Sequence, residues 1–499
     1  MSRLPTKTAA LLAAGLLLRL ASLPLWGTFD TEVQKAWSAR AASVGVADIY
    51  GPPDSQLLVL AHAEGRSTLA GLASLQVPQT WFEWQGNRYF VDYPPGSVLA
   101  LFAAGRLYSL LDSELPNGPL FNAAINLAPL LGSLVIAALL WRSTPDRQVG
   151  ARRTLAFWFN PALLLATPVL GYQDTVFAAF ALGAVLALMA RRAAMATALV
   201  VAAGLVKPQG ALLLPALAVV LWKEEDRRGI TRSVAAGLGV AAAILAPWWL
   251  SGYLLSALDG ALRPLRQTTL APLGFNLWWI AGYAMDWTRV APWPLARIVG
   301  LEEFQGWTGF DARVPARVAL ALATLAVAWL LASRLREDRR LIPLSVMLQV
   351  HGYALLNTSV HENHTLLAVI LAPLLLGAWP RARAALFVTS AFLFANLFLT
   401  YGFGRRLTRQ AWLAELRLST GVDLSVLVAA AHVVLVVTLF VWVLQTPPGS
   451  SRPGRSALDA APMPAPGHAP TGNDAGLRAR GLVRRVDKIG AQTPERSLK

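Results

Sequence analysis

Three acidic side chains lie in two short segments at the edges of the first long polar stretch of the chain. Asp30 and Glu32 follow an apolar run in Phe29-Asp30-Thr31-Glu32-Val33-Gln34, and Asp92 precedes a proline pair in Val91-Asp92-Tyr93-Pro94-Pro95. A positioned carboxylate can accept the proton of a substrate hydroxyl as a general base. These segments are therefore candidates for a site at which an acceptor hydroxyl is activated.

Cationic side chains interrupt later parts of the chain at three places. Lys207 lies in Lys207-Pro208-Gln209, Arg263 and Arg266 lie three residues apart, and His361 lies in Val360-His361-Glu362-Asn363-His364. Lysine, arginine and histidine bind phosphate and stabilise the charge that develops on it. Together with the carboxylates, they suit the transfer of a sugar from a phosphate-linked donor, and aromatic loop residues can stack on the sugar faces.

The elements that must position these residues are membrane-spanning helices. Of the 499 residues, 55% are hydrophobic and 14% are charged, whereas a typical soluble domain has about 25% charged residues. Several apolar runs approach the roughly 20 residues that cross about 30 Å of hydrocarbon. Backbone polar groups in lipid must be paired within their own segment, which predicts helices. The sequence contains no cysteine, which excludes disulfides and zinc–thiolate sites.

The net charge of +16 is explained by arginine clusters between the apolar runs, and not by nucleic-acid binding. If these clusters are cytoplasmic, about 12 and at most 14 spans follow, with both chain ends in the cytoplasm. The first run is an uncleaved span, because no small-residue cleavage site follows it. We predict spans at 8–25, 121–141, 153–170, 175–190, 193–206, 210–222, 234–250, 318–332, 341–356, 365–378, 384–401 and 424–444.

This threading brings the acidic and cationic segments to the outer face. It leaves two large outer loops, 26–94 and 251–316, whose tryptophans and tyrosines indicate packing at the membrane interface. The apolar segments 95–111 and 271–283 do not fit as simple spans, and we interpret the first as an interfacial or re-entrant helix. The tail, 447–499, is rich in Pro, Gly, Ser and Arg and is predicted to be a disordered basic cytoplasmic segment.

Lys207 lies at the tip of a short pair of predicted helices. Each arm has about 14 residues, or roughly 21 Å at 1.5 Å per residue, which is less than the thickness of the hydrocarbon. We therefore expect Lys207 slightly below the outer surface, in a sheltered polar pocket. Alone, such a lysine can simply snorkel to the interface. The coincidence of several ionisable residues on one face favours a functional site.

The order of these motifs resembles that of the GT-C superfamily of polyprenyl-phosphate-sugar glycosyltransferases. Within it, the chain looks most like the dolichyl-phosphate-glucose glucosyltransferases and their bacterial relatives. The family segments "GDYEAQ…W", "LDYPPL", "HFQYN", "ANFW" and "VHEK" are matched in order by Phe29–Trp37, Val91–Gly96, Gly171–Asp174, Phe275–Trp278 and Val360–Asn363. The resemblance covers roughly residues 10–380. It implies an all-α polytopic membrane protein, with a GT-C-like domain over 1–446.

The resemblance also implies roles for individual residues. Asp30 becomes the catalytic base of an inverting transfer. The remaining matched residues form two sets: an acceptor and sugar pocket of Glu32, Asp92, Tyr93, Gln173, Asp174, Trp278 and Glu362, and a donor-phosphate set of Lys207, Arg263, Arg266 and His361. Phe29 replaces the glycine of the first family motif and Asn363 replaces the lysine of the last. These departures leave the identities of the sugar and the acceptor open.

The implied partners are a polyprenyl-phosphate sugar, a glycan or lipid-linked acceptor, and membrane lipid, with no nucleic acid and no cofactor. A metal held by Asp30, Glu32 and His361 is a less favoured alternative. The high Ala, Leu and Arg content is typical of a GC-rich bacterium, which places the chain in the plasma membrane with its site outside. A flippase or transporter of a polyprenyl-linked lipid, a cell-wall polymerase or ligase, and a structural membrane protein remain open as alternatives.

Overall fold

A computed structural model of the chain describes residues 6–66, 68, 77–286, 298–403, 415, 419–421 and 423–445. The predicted tail, 447–499, lies outside the described residues. The described part is mostly helical. In chain order its helices are α1 Thr6–Ser22, α2 Phe29–Val44, α3 Asp54–Ala63, α4 Pro95–Ser109, α5 Pro119–Arg142, α6 Arg147–Trp158, α7 Pro161–Leu164, α8 Asp174–Met189, α9 Ala193–Val206, α10 Leu214–Glu224, α11 Arg227–Ser251, α12 Leu254–Leu262, α13 Leu277–Asp286, α14 Leu301–Thr308, α15 Arg313–Arg334, α16 Leu341–Leu356, α17 Leu366–Leu371, α18 Ala382–Tyr401 and α19 Leu424–Gln445.

Shorter elements connect these helices. A π-helical segment at Leu165–Val169 follows α7, and 3-10 segments occupy Pro208–Leu213, Arg263–Arg266 and Ala372–Leu375. Two short strands, β1 Phe82–Trp84 and β2 Asn87–Tyr89, pair antiparallel, with Phe82 opposite Tyr89.

Five of the described helices, α5, α11, α15, α18 and α19, are long and apolar enough to cross a membrane. The sequence predicted helix at all 12 proposed spans, and the structure has helix at each of them. Three of the 12 are interrupted. Asn160-Pro161 separates α6 from α7, because the Asn160 side chain caps a new helix and proline cannot continue the old one. The other two breaks are the 3-10 segments that precede α10 and follow α17.

Arginines link several helix termini at one end of the bundle, which we call the basic end. Arg153 donates to the Leu376 carbonyl across 3.0 Å, and Arg339 donates to the Met189 carbonyl across 3.1 Å. Arg381 reaches Gln445 Oε1 across 3.2 Å. Helices that begin at the basic end finish at the opposite end, where the acidic and cationic motifs lie. We call the opposite end the site end.

The first predicted loop, 26–94, folds into α2, α3 and the strand pair, with a small core of its own. Trp37, Tyr50 and Phe82 are buried there against Phe121 of α5 and Trp248 of α11. Segment 95–111 forms the 15-residue helix α4, which packs on α2 and α5. Segment 271–283 is not one helix, because only its second half belongs to α13. The part of the second loop at 287–297 lies outside the described residues.

Candidate functional site

Asp30 occupies the first turn of α2, at the site end of the bundle. The chain enters this helix through Gly27, whose φ of +67° is in the left-handed region that glycine adopts readily. The Thr28 amide then donates to the Leu170 carbonyl across 3.0 Å. A second left-handed glycine, Gly171, faces Thr31, and a Cβ added there would lie 2.6 Å from Thr31 Oγ1. The start of α2 is thus docked against the end of the π-helical segment by main-chain contact.

Asp30 belongs to a group of ionisable residues that we call the acidic recess: Asp30, Asp92, Asp174, Lys207, His361 and Glu362. Solvent reaches the Asp30 carboxyl group, although protein surrounds it. The resulting loss of hydration raises the pKa of Asp30, and the negative charges of Glu362 and Asp174 raise it further. His361 and Lys207 act in the opposite direction. An accessible carboxylate with a raised pKa is a stronger base than a free aspartate.

Asp92 shares this environment from the end of the first loop. Burial raises the pKa of Asp92 to about 6, and the charge of Asp30 contributes to the rise. Tyr93, the next residue, packs against Trp37 with 5.5 Å between ring centroids, and its carbonyl accepts from Tyr50 Oη across 2.8 Å. The Tyr93 phenol is also in electrostatic range of Lys207 and Asp30. The segment around Asp92 therefore forms one wall of the recess.

Lys207 and Asp174 form a buried ion pair at the base of the recess. Lys207 Nζ lies 2.5 Å from Asp174 Oδ1, and Asn363 Nδ2 donates to Asp174 Oδ2 across 3.0 Å. Asp174 begins α8 and Lys207 directly follows α9, so each charge complements the dipole of its own helix end. Lys207 is therefore sheltered from solvent, and its charge is neutralised by Asp174.

Glu362 connects three separate segments of the site end. Its Oε1 accepts hydrogen bonds from the phenols of Tyr172 and Tyr401. Its Oε2 is buried, has no hydrogen-bond partner among the described residues, and faces His361 Nδ1 at 4.0 Å. Burial raises the pKa of Glu362.

His361 is the more accessible member of this pair, with 38% of its side chain exposed. Its Nε2 lies 3.0 Å from Gln267 Oε1, in the second loop. Burial lowers the pKa of His361, whereas the charge of Asp30 raises it. A neutral imidazole at this position can donate one hydrogen bond while its other nitrogen accepts one.

The two arginines of the second loop differ in their surroundings. Arg263 is buried and donates to the carbonyls of Val91 and Tyr50 across 2.7 and 2.9 Å, and its Nε donates to Asp259 across 3.0 Å. Arg266 also binds Asp259, at 2.7 Å, but 45% of its side chain is exposed. Two arginines share one carboxylate, so this group retains one net positive charge. Arg266, and not Arg263, can offer that charge to a ligand.

Glu32 does not face Asp30, which corrects the expectation that both line one pocket. Each residue of a helix is rotated by about 100° around the axis, so residues two apart point to nearly opposite sides. Glu32 instead accepts from Lys35 Nζ across 2.9 Å and from Asn117 Nδ2 across 3.0 Å. Lys35 also donates to Asn122, at 2.8 Å, which ties α2 to α5.

Two further predicted pocket residues have structural contacts. Trp278 is buried, and its indole N–H donates to the Leu356 carbonyl at the end of α16 across 2.7 Å. Gln173 is half-buried and donates to the Ile125 carbonyl across 3.3 Å. The Leu356 carbonyl has no partner within its own helix end, so it requires a donor from elsewhere. The indole N–H of Trp278 is that donor.

Sequence reasoning missed four residues that shape the recess. Tyr172 and Tyr401 donate hydrogen bonds to Glu362. Asn363 donates one to Asp174, and Gln267 is the hydrogen-bond partner of His361. Two of them lay inside motifs already singled out, so adjacency to Gln173 and Glu362 was an available signal. Tyr401 and Gln267 carried no such signal, because tyrosine and glutamine are ordinary residues at helix ends and in loops.

The arrangement combines an accessible carboxylate with one accessible cation, Arg266, and the imidazole of His361. It can accept a proton at Asp30 and place Arg266 and His361 near a ligand's negative charge. Within the described residues, no group of three or more His, Asp or Glu side chains is spaced to hold a metal ion.

No known protein family and no curated protein matches the sequence. Among solved structures, the chain is similar to two structures of the archaeal oligosaccharyltransferase AglB from Archaeoglobus fulgidus. One is a complex with an inhibitory peptide and a dolichol-phosphate, with a TM-score of 0.35 and 12% identity, covering 88% of this chain and 56% of that one. The other is tethered to an acceptor peptide by a disulfide bond, with a TM-score of 0.35 and 14% identity, covering 86% and 55%. The chain thus spans about half the length of these structures.

Proposed function

We propose that this chain is a membrane glycosyltransferase that moves a glycosyl residue, such as a hexose, from a polyprenyl-phosphate carrier to an acceptor hydroxyl. The observation that carries the proposal is the Asp30 carboxyl group. Asp30 is exposed to solvent, its pKa is raised, and it lies at the site end of a bundle in which five described helices are long and apolar enough to cross a membrane. A donor on a lipid carrier explains why a polar site belongs at the end of such a bundle.

The reaction follows from the positions of the groups. Asp30 accepts the proton of the acceptor hydroxyl as its oxygen attacks the anomeric carbon. The bond between that carbon and the phosphate oxygen breaks, and its electron pair stays on the phosphate. Attack from the face opposite the phosphate inverts the anomeric centre. The products are the glycosylated acceptor and the polyprenyl phosphate.

The leaving phosphate requires a cation or an N–H donor that is accessible to it. Arg266 has an exposed guanidinium and His361 a partly exposed imidazole, so these two are the proposed donor-phosphate ligands. Lys207 is neutralised by Asp174, and Arg263 is occupied by two carbonyls and Asp259. We assign these two to the framework of the site. Asp92, Tyr93 and Glu362 are the proposed walls for sugar and acceptor.

The orientation of the bundle in the membrane follows from the distribution of its arginines. The basic end carries the arginine clusters, which the positive-inside rule places in the cytoplasm. The acidic recess is then outside, at the outer leaflet of a bacterial plasma membrane. The acceptor in this setting is a glycan or a lipid-linked glycan of the cell envelope.

The decisive experiment compares wild type with Asp30→Asn in a purified assay with a panel of polyprenyl-phosphate sugars and candidate acceptors. Loss of a general base lowers the rate roughly 10²–10⁴-fold. Asp48→Asn is the matched control, because Asp48 lies in the same loop, pairs at the surface with Arg40 at 3.7 Å, and is outside the recess. Unchanged turnover in Asp30→Asn, with wild-type turnover in the control, would remove Asp30 as the base.

A further inference from the structure

A cavity lies on the flank of the bundle, between α6–α7 and the first half of α18, and none of its lining residues belongs to the acidic recess. Its volume is about 470 Å³. Phe159 and Phe387 stand at its rim and are 39% and 73% exposed, so the cavity opens sideways to the surroundings of the bundle. Its lining is Leu155, Ala156, Phe159, Asn160, Pro161, Arg383, Leu386, Phe387, Ser390, Ala391 and Phe394.

The polar side chains inside this cavity are already paired. Asn160 Nδ2 donates to Ser390 Oγ across 2.7 Å, and Asn160 Oδ1 accepts from the Ala162 amide across 3.0 Å. Ser390 Oγ donates in turn to the Leu386 carbonyl across 2.6 Å. A polar ligand would find these groups occupied. An apolar chain matches the interior, because burying it against Leu and Phe side chains removes apolar surface from water.

One end of the cavity is charged. Arg383 is exposed and has no hydrogen-bond or ion-pair partner within the described part of the chain, whereas the nearby Arg381 reaches Gln445 and lies 5.5 Å from the Trp442 ring centroid. From Arg383 to Phe394 is 11 residues of helix, or roughly 16 Å. That is about half of the 30 Å hydrocarbon core, the depth of one leaflet.

From these observations we infer that the flank cavity is a binding site for an anionic phospholipid of the leaflet at the basic end. One acyl chain lies along α18 over the Asn160–Ser390 pair, and the phosphate meets Arg383. A positive charge at the mouth selects an anion, and a single-leaflet length fits an acyl chain rather than a long polyprenyl tail. This site is separate from the acidic recess and does not depend on the proposed activity.

The test measures lipid binding to the delipidated full-length protein by native mass spectrometry. Phosphatidylglycerol and phosphatidylcholine with the same acyl chains are compared on wild type, Arg383→Gln, Arg381→Gln and Ala391→Phe. One arginine near a membrane surface contributes about fivefold in affinity for an anionic lipid. Arg383→Gln should therefore weaken phosphatidylglycerol about fivefold and leave phosphatidylcholine unchanged. Arg381→Gln, the matched control, should change neither.

Ala391→Phe tests the cavity without removing charge. Ala391 is exposed at the lining, so the larger ring fills the cavity and should weaken both lipids. Equal binding of the two lipids by wild type, equal losses in the two arginine variants, or unchanged binding in Ala391→Phe would overturn the inference. Displacement of bound phosphatidylglycerol by equimolar polyprenyl phosphate would assign the cavity to the carrier lipid instead.

Discussion

Lys207 and Asp174 meet at the site end from two neighbouring antiparallel helices, with 2.5 Å between Nζ and Oδ1. Only 5% of Lys207 and 3% of Asp174 is exposed. Such a pair is expensive to break, because removal of one partner leaves a buried charge without compensation. It therefore fixes the relative height of α8 and α9, and it holds two charges that act on Asp30.

Lys207→Met should lower the free energy of unfolding by roughly 3–5 kcal/mol, since Asp174 remains charged and buried. In Lys207→Met/Asp174→Asn the charge disappears from both sides, and the loss should be smaller than the sum of the two single losses by about 0.5–3 kcal/mol. Denaturant unfolding in mixed micelles measures the free energy of unfolding of Lys207→Met, of Asp174→Asn and of the double variant. Strictly additive losses would show that the two side chains do not interact.

The pH dependence of glycosyl transfer should follow the ionisation of Asp30. The base must be deprotonated, and its pKa is raised by loss of hydration and by neighbouring carboxylates, so kcat/KM should fall on the acid side above the usual aspartate value of about 3.9. Glu362→Gln removes the carboxylate with the largest effect on Asp30 and should move that acid limb to lower pH. An exposed control, Asp112→Asn, should leave it in place. An acid limb that stays fixed in Glu362→Gln would contradict the electrostatic link between Asp30 and Glu362.

The two arginines of the second loop should respond differently to substitution. Arg263→Lys cannot reproduce a fork that binds two carbonyls and a carboxylate, and it should lower the unfolding free energy by roughly 1–3 kcal/mol. Arg266→Gln removes an exposed charge and should raise KM for the polyprenyl-phosphate donor several-fold, with little change in stability. Thermal unfolding and donor-titration kinetics separate the two effects. A donor KM that rises in Arg263→Lys but not in Arg266→Gln would reverse the assignment.

Gly171→Ala should displace α2 and reduce turnover. The new Cβ would lie 2.6 Å from Thr31 Oγ1, in the turn that follows Asp30. Gly86→Ala is the matched control, because Gly86 has the same φ of +74° but nothing within 4 Å of the added carbon. Both variants bear the same backbone strain, so only a steric effect predicts lower activity in Gly171→Ala alone. Equal activities would show that the contact with Thr31 does not position the base.

Apolar runs predicted the helices well, because a segment of about 20 apolar residues has few other structures open to it in lipid. The same reasoning located Lys207 between two short helices. It could not assign the direction of individual side chains. Glu32 was grouped with Asp30 by proximity in sequence, although the helical repeat sends them to opposite sides, and Arg263 was grouped with Arg266 although only one is accessible. Those outcomes depend on contacts with Asn117, Tyr50 and Val91, which are distant in sequence.

The base and the walls of the recess are positioned by different parts of the molecule. Asp30 is placed by the main chain at Gly27, Leu170 and Gly171, whereas the surfaces around it are side chains from the first loop, the second loop and the segment before α17. Substrate preference can therefore change through loop replacement while the chemistry stays in place.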